Sequence, residues 1–127
     1  MLSSTRSSEV VYVSEDRQGE VVGFASGGQE RSGDPDYLGE LYAIYVRETS
    51  QRKGIGRQLT SCFATRLFQD GMQSMLVWVL AENPARMFYE DLGGTWLREQ
   101  NITIGGTTLV EVAYGWKDTG ALANLTR

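Results

Sequence analysis

In the stretch QRKGIGRQL, Gln51 to Leu59, three cations and two glycines precede apolar residues spaced for a helix. A helix N-terminus leaves several backbone amides without internal partners and carries the positive end of the helix dipole, so it attracts anions. Gly54 and Gly56 remove side chains that would keep a phosphate away from those amides. Arg52 and Lys53 add positive charge beside them. The chemistry suggested is a pyrophosphate cradle made of Gln51, Arg52, Lys53, Gly54, Ile55 and Gly56. Two familiar phosphate loops do not fit. A Walker loop ends in Gly-Lys-Ser/Thr, whereas Lys53 precedes its glycine. The dinucleotide fingerprint needs three glycines after the first strand, and here only two follow the third. Glycines at such a junction also serve as plain turn chemistry, so the motif alone does not decide.

Proton chemistry is constrained by composition. The chain has no histidine, so no ordinary near-neutral base is present and a carboxylate, alone or through water, has to serve. Glu40, at the start of a central strand, is the candidate carboxylate.

The elements that position these residues follow from periodicity. Glu9 to Val13 and Glu20 to Ser26 are β-rich runs joined by SEDRQG, where Gly19 suits a hairpin turn. GGQERSGDPDYLG, residues 27–39, reads as a long solvated loop, acidic through Glu30, Asp34 and Asp36. ELYAIYV, Glu40 to Val46, is the third strand, with Tyr42 and Tyr45 expected on opposite faces. Ile55, Leu59, Cys62, Phe63 and Leu67 recur at helical spacing and predict about four turns ending near Gly71. On that stripe Cys62 reads as a buried structural thiol.

SMLVWVL is an apolar run typical of a strand covered on both faces, with Trp78 in the core. Asn83-Pro84 starts a short helix through Phe88 and Tyr89 that stops at Gly93-Gly94. TWLREQNITI and TTLVEVAYGW face each other across Gly105-Gly106, a hairpin signal. Trp96 and Trp116 read as packing or pocket lining. The order predicts an α/β fold with a mixed sheet and a right-handed β-α-β crossover at its centre.

With 127 residues and 41% hydrophobic content, one core and one domain over residues 1–127 are expected. Residues 1–8 and 118–127 read as flexible tails. The net charge of -4 argues against a nucleic-acid or anionic-membrane surface and suits a cationic partner. No apolar run reaches the roughly 20 residues of a membrane span, and MLSSTRSSE has no signal-peptide core. A cytoplasmic location is the expectation, so the Asn-x-Thr triplets at Asn101 and Asn124 carry little meaning. No metal site is expected.

Taken together the motifs resemble the GCN5-related N-acetyltransferase superfamily. Its cofactor motif Gln/Arg-x-x-Gly-x-Gly/Ala is matched by Gln51 to Gly56, GELYAIYV looks like its fourth strand, and ENPARMFYEDLGG looks like its second motif. The resemblance covers roughly Glu9 to Trp116. It implies a mostly antiparallel sheet whose central strands splay apart, with acetyl-CoA gripped at residues 51–56. It further implies a pantetheine arm paired with the backbone of Ile44, Tyr45 and Val46 and touched by Asn83. The acceptor would be a primary amine of a small molecule or peptide, acetylated by direct attack in a ternary complex. Glu40 would be the base, and Tyr89 would protonate or polarise the leaving sulfur. A backbone amide near Val46 would polarise the thioester oxygen.

The family usually begins with a further strand and helices, and this sequence starts at the second strand. An uncovered sheet edge then favours a homodimer. The same feature leaves open a noncatalytic CoA-binding module.

Overall fold

The computed structural model describes residues 9–124; the expected tail 1–8, and residues 125–127 of the expected tail 118–127, lie outside the described residues. Strand β1, Val10–Glu15, alternates between half-buried and exposed positions: Val10 and Tyr12 pack on the core, while Val11 and Val13 face outward. Its turn is tied by Asp16, whose Oδ1 accepts the N–H groups of Gln18 and Glu20, both at 2.9 Å, with Gly19 at φ +82°. Strand β2, Val21–Gln29, runs three residues beyond the expected end. A Cβ on Gly27 would lie 2.4 Å from the Phe63 ring, so this glycine permits close packing inside a strand rather than opening a loop. The loop therefore starts at Glu30.

That loop is built, not merely solvated. Glu30 accepts hydrogen bonds from Ser32 Oγ and the Asp34 amide, and Asp34 accepts from the amides of Asp36 and Tyr37. Asp34 also pairs with Arg98 at 2.9 Å, its side chain only 6% exposed. Burial alone would raise the pKa of Glu30 and of Asp34. The hydrogen bonds, joined at Asp34 by the Arg98 charge, outweigh burial and hold both carboxyls below their ordinary values.

Strand β3, Gly39–Val46, is the pivot of the molecule. Opposite β2, Ser26 pairs with Ala43 and Gly27 with Leu41, so Tyr42 is an extra, unpaired residue. Such a bulge exchanges the faces of the residues on its two sides. Below it, a Cβ on Gly39 would point at Leu67 of the central helix, so Glu40 points away. Above it, Val46 lies against the start of that helix. Tyr42 and Tyr45 consequently share the face away from the helix, which corrects the expectation that they lie on opposite faces.

A 3-10 turn, Glu48–Ser50, leads to helix α1, Ile55–Gln69. Its buried face carries Leu59, Thr60, Ser61, Phe63, Ala64 and Leu67. Each large side chain sealed there contributes about 1.5–3 kcal/mol. This face is rotated from the predicted stripe and leaves Cys62 exposed, correcting its reading as a buried thiol.

Strand β4, Met75–Leu80, is covered on both faces only at its start: Met75, Leu76 and Val77 are buried, whereas Trp78 is half-buried. Helix α2, Ala85–Asp91, begins where Asn83 Oδ1 accepts the Ala85 amide at 2.9 Å, the cap its sequence predicts. Strands β5, Thr95–Ile104, and β6, Thr107–Trp116, form the expected hairpin, with Gly105 and Gly106 both at positive φ.

The expectation of a flexible tail from residue 118 is corrected by a third helix, α3, Thr119–Ala123. Thr119 donates to the Met72 carbonyl, Ser61 donates to the Ala123 carbonyl, and Leu122 is 2% exposed. Polar composition hid this element because Asp118 supplies the helix cap and one leucine supplies the anchor.

The six strands lie in the order β1-β2-β3-β4-β6-β5, antiparallel except for β3 and β4. This is the expected mixed sheet with a central β-α-β crossover. Parallel pairing of β3 with β4 stops at Leu41 and Val77. Beyond that point β3 pairs only with β2 and β4 only with β6, so the two central strands part. No helix among the described residues is long and apolar enough to cross a membrane.

Candidate active site

A cleft of about 680 Å³ opens where β3 and β4 separate. Its walls are Ile44 and Val46 from β3, Gln51 to Arg57 with Lys53 excepted, and Asn83, Pro84, Ala85 and Phe88 around the start of α2. The floor is the N-terminus of α1. Gly54 stands before it in the left-handed conformation at φ +82°, and Arg52 adopts φ +67°, a strained value for a residue with a side chain. The amide of Gln58 donates to the Gly54 carbonyl, which leaves the amides of Ile55, Gly56 and Arg57 free of helical partners. The first turn has no acidic residue and no side-chain cap.

A Cβ on Gly56 would meet the Phe88 ring at 3.3 Å and 3.4 Å. Any larger group there would fill the cleft. Gln51 donates through Nε2 to the Val46 carbonyl at 2.9 Å, tying the loop to the strand end. Free amides, two arginines and an absent side chain thus converge on one anion-sized opening. Beside it, the edge of β3 above Leu41 lacks a strand partner, as an added extended segment would require.

The structure brings together most of the residues expected here and separates three of them. Ile44, Val46, Gln51, Arg52, Gly54, Ile55, Gly56 and Asn83 line the cleft, whereas Lys53 is exposed outside it. The Tyr45 side chain is 55% exposed on the opposite face against Phe24, so only its backbone borders the cleft. Tyr89 sits behind the wall that Phe88 forms, 5% exposed and packed edge-on against Phe88 and Trp116. No side chain or carbonyl among the described residues accepts a hydrogen bond from its hydroxyl. Burial pushes its pKa up to about 12, keeping the phenol neutral. Helix α2 is clamped to β6 by Tyr114, which donates to Glu90 at 2.5 Å and accepts from Arg86 at 3.1 Å.

A second cavity, about 340 Å³, lies on the other face of the sheet and includes Glu40, Tyr42, Trp78 and Glu111. The Glu40 side chain is 4% exposed and is held by Arg31, with Nη2 at 2.8 Å from Oε2 and the backbone amide at 3.2 Å from Oε1. Trp78 is therefore a cavity wall and not core. Trp116 is 7% exposed and donates to the Leu92 carbonyl, while Trp96 is 49% exposed.

Sequence reasoning missed Arg57, Phe88 and Arg31 at these two sites. Arg57 was visible as the third cation of the stretch, one position past the second glycine. Phe88 and Arg31 had no such signal, because their roles depend on segments distant in the chain.

A family model described as FR47-like protein matches residues 33–103. The uncharacterized N-acetyltransferase YuaI of Bacillus subtilis (strain 168) is 46% identical over 121 residues, which is 95% of this chain and 70% of YuaI. YncA, a candidate acetyltransferase from Salmonella typhimurium solved with its cofactor acetyl-CoA, is 27% identical. It superimposes with a TM-score of 0.70, covering 90% of this chain and 67% of that one. A candidate acetyltransferase of the GNAT family from Desulfovibrio desulfuricans shares the fold, with a TM-score of 0.74 at 18% identity over 94% of this chain and 73% of its own. Matches of this extent, on a parted sheet with a glycine-lined helix start in the gap, show that the chain belongs to the GCN5-related N-acetyltransferases, with an FR47-like domain and acetyl-CoA as acetyl donor.

Proposed function

We propose that the chain acetylates a primary amine of a small molecule or peptide, the two substrates meeting in a ternary complex across β3. The observation that carries this reading is the pair of cavities on opposite faces of one bulged strand. The cleft at α1 suits the anionic end of acetyl-CoA: Gln51, Arg52, Gly54, Ile55 and Gly56 surround free amides, and Asn83 borders the arm. Lys53 adds only long-range charge. The backbone of Ile44, Tyr45 and Val46 offers an unpaired edge to the arm, and an amide near Val46 is assigned to the thioester oxygen. Acetyl-CoA supplies the acyl group as a thioester.

Glu40 is assigned as base on the acceptor side. An alkylammonium with pKa near 10.4 is only ~0.04% free amine at neutral pH, so a proton acceptor is required. As the new C–N bond forms and the C–S bond breaks, the nitrogen's proton passes to Glu40, directly or through water. Tyr89 is assigned to the sulfur. A phenol near 12 is a weaker acid than a thiol near 8.5, so full proton transfer to the thiolate is uphill by about 5 kcal/mol. Its role is then hydrogen-bond donation that polarises the sulfur.

The test is a calorimetric titration with acetyl-CoA followed by a mass-spectrometric screen of an amine panel. Saturable binding with acetylation of at least one amine is expected, and a folded protein that binds no acetyl-CoA would defeat the reading. A homodimer through the free edge of β1, where Val11 and Val13 are exposed, accompanies this proposal. Light scattering that shows a monomer at micromolar concentration would remove it.

A further inference from the structure

We propose that Arg31 occupies, in the free protein, the place that the cation of the acceptor takes during the reaction, so that acceptors enter by exchanging with its guanidinium. The inference rests on the reading of the Glu40 cavity as the acceptor side, and it adds a specificity-determining residue and a substrate class.

The geometry is that of a bound cation. The guanidinium Nη2 lies 2.8 Å from Glu40 Oε2 and Nε 3.4 Å from Oε1, while Cζ stands 3.9 Å from the centre of the Tyr42 ring. A carboxylate below and an aromatic face beside it are what a substrate ammonium would also seek. The two partners differ sharply in burial: the Glu40 side chain is 4% exposed and that of Arg31 is 61% exposed. A buried carboxylate left alone is costly, so Glu40 needs a cation whenever the cavity is closed to water. Arg31, already mostly solvated and carried on the 30–38 loop, gives up little by swinging out.

The proposed chemistry favours the exchange. Three hydrogen bonds from Arg31 occupy Glu40, the backbone amide and Nε on Oε1 and Nη2 on Oε2, and the guanidinium charge beside it stabilises the carboxylate against taking a proton from an amine. An incoming ammonium that displaces the side chain meets Glu40, the faces of Tyr42 and Trp78, and two further carboxylates, Glu30 and Glu111. Arg31 is the one cation among the residues lining this cavity. The class favoured is therefore an amine bearing a second positive charge, with nothing anionic near the reacting nitrogen.

The experiment is calorimetric titration of the full chain with 1,4-diaminobutane as probe, in wild type, Arg31→Gln, Arg31→Lys and Glu40→Gln. Binding is expected to tighten about tenfold in Arg31→Gln, the gain that follows when an internal competitor occupying a site about nine-tenths of the time is removed. Arg31→Lys, which keeps charge but loses the fork and the stacking, is expected between the two and serves if the Gln variant does not fold. Glu40→Gln is expected not to bind. Equal or weaker binding by the Arg31 variants, or no binding by any of the proteins, overturns the proposal. If acetylation of an amine depends on Glu40 while the Arg31 variants bind the probe no more tightly, the exchange fails and the proposed function stands. If those variants bind more tightly but no amine is acetylated, the exchange stands and the function fails.

Discussion

The cleft at the start of α1 and the cavity under Arg31 face opposite sides of one sheet and are made of different material. The first is mainly backbone: free amides, a glycine without Cβ, and a strand edge with no partner. The second is side chain: a buried carboxylate, a guanidinium laid over a ring, and an indole wall. Backbone features recognise what every donor molecule shares, whereas side chains can change one at a time without disturbing the fold. The contrast fits an enzyme with one donor and an acceptor set by local substitutions.

Substitutions on each side should separate the two functions. The largest effect is expected from Gly56→Glu, which fills the cleft and sets a carboxylate where an anion binds. Acetyl-CoA affinity should fall by more than about 100-fold, while 1,4-diaminobutane binding stays unchanged in parallel titrations. Loss of both would mean that the cavities are not independent.

Next is Glu40→Gln, expected to lower kcat by about 10²- to 10³-fold with the KM for acetyl-CoA unchanged. A normal kcat would shift the base to ordered water. Tyr89→Phe should lower kcat by about 10- to 100-fold, as loss of a hydrogen bond to a charged sulfur implies. The same residue makes a pH statement. Its folded pKa is raised to about 12 against about 10 unfolded, so its contribution to stability is complete below pH 10 and is lost as pH rises toward 12. Unfolding curves from pH 9 to 12 should fall less steeply for the Phe variant. The smallest effect belongs to Lys53→Ala. An exposed charge outside the cleft wall should change acetyl-CoA affinity by about twofold, and less at high salt.

Much of the backbone side was legible in the sequence. The stretch Gln51 to Gly56 needs no partner from elsewhere to be recognised, because free amides and missing Cβ atoms are properties of consecutive residues. The Gly105-Gly106 hairpin and the Asn83 cap were readable for the same reason. The side-chain side was not. Arg31 and Glu40 are nine residues apart and meet only because β2 and β3 pair, and Trp78 joins them from the next strand. Cys62 and Tyr45 went astray through small rotations: the buried face of α1 is turned from the apolar stripe, and one unpaired residue reverses a strand. The helix at Thr119–Ala123 escaped because a single leucine anchors it.

That unpaired residue, Tyr42, has a consequence for how the chain can vary. Glu40 and Ile44 are four positions apart and would share a face in a regular strand, and the one spare position sets them on opposite faces. Deleting Tyr42 would bring Leu41 and Ala43 together opposite Gly27 and Ser26, and plain alternation would then keep both ends of β3 facing as they do. Inserting a residue beside Tyr42 has the opposite effect: without a wider bulge to absorb it, one end of the strand turns over, driving Glu40 into the core or taking Ile44 and Val46 out of the cleft. Such an insertion should fail in the acetyl-CoA and diamine titrations at once, whereas a variant lacking Tyr42 should keep acetyl-CoA binding. The strand can be shortened at this point but not lengthened.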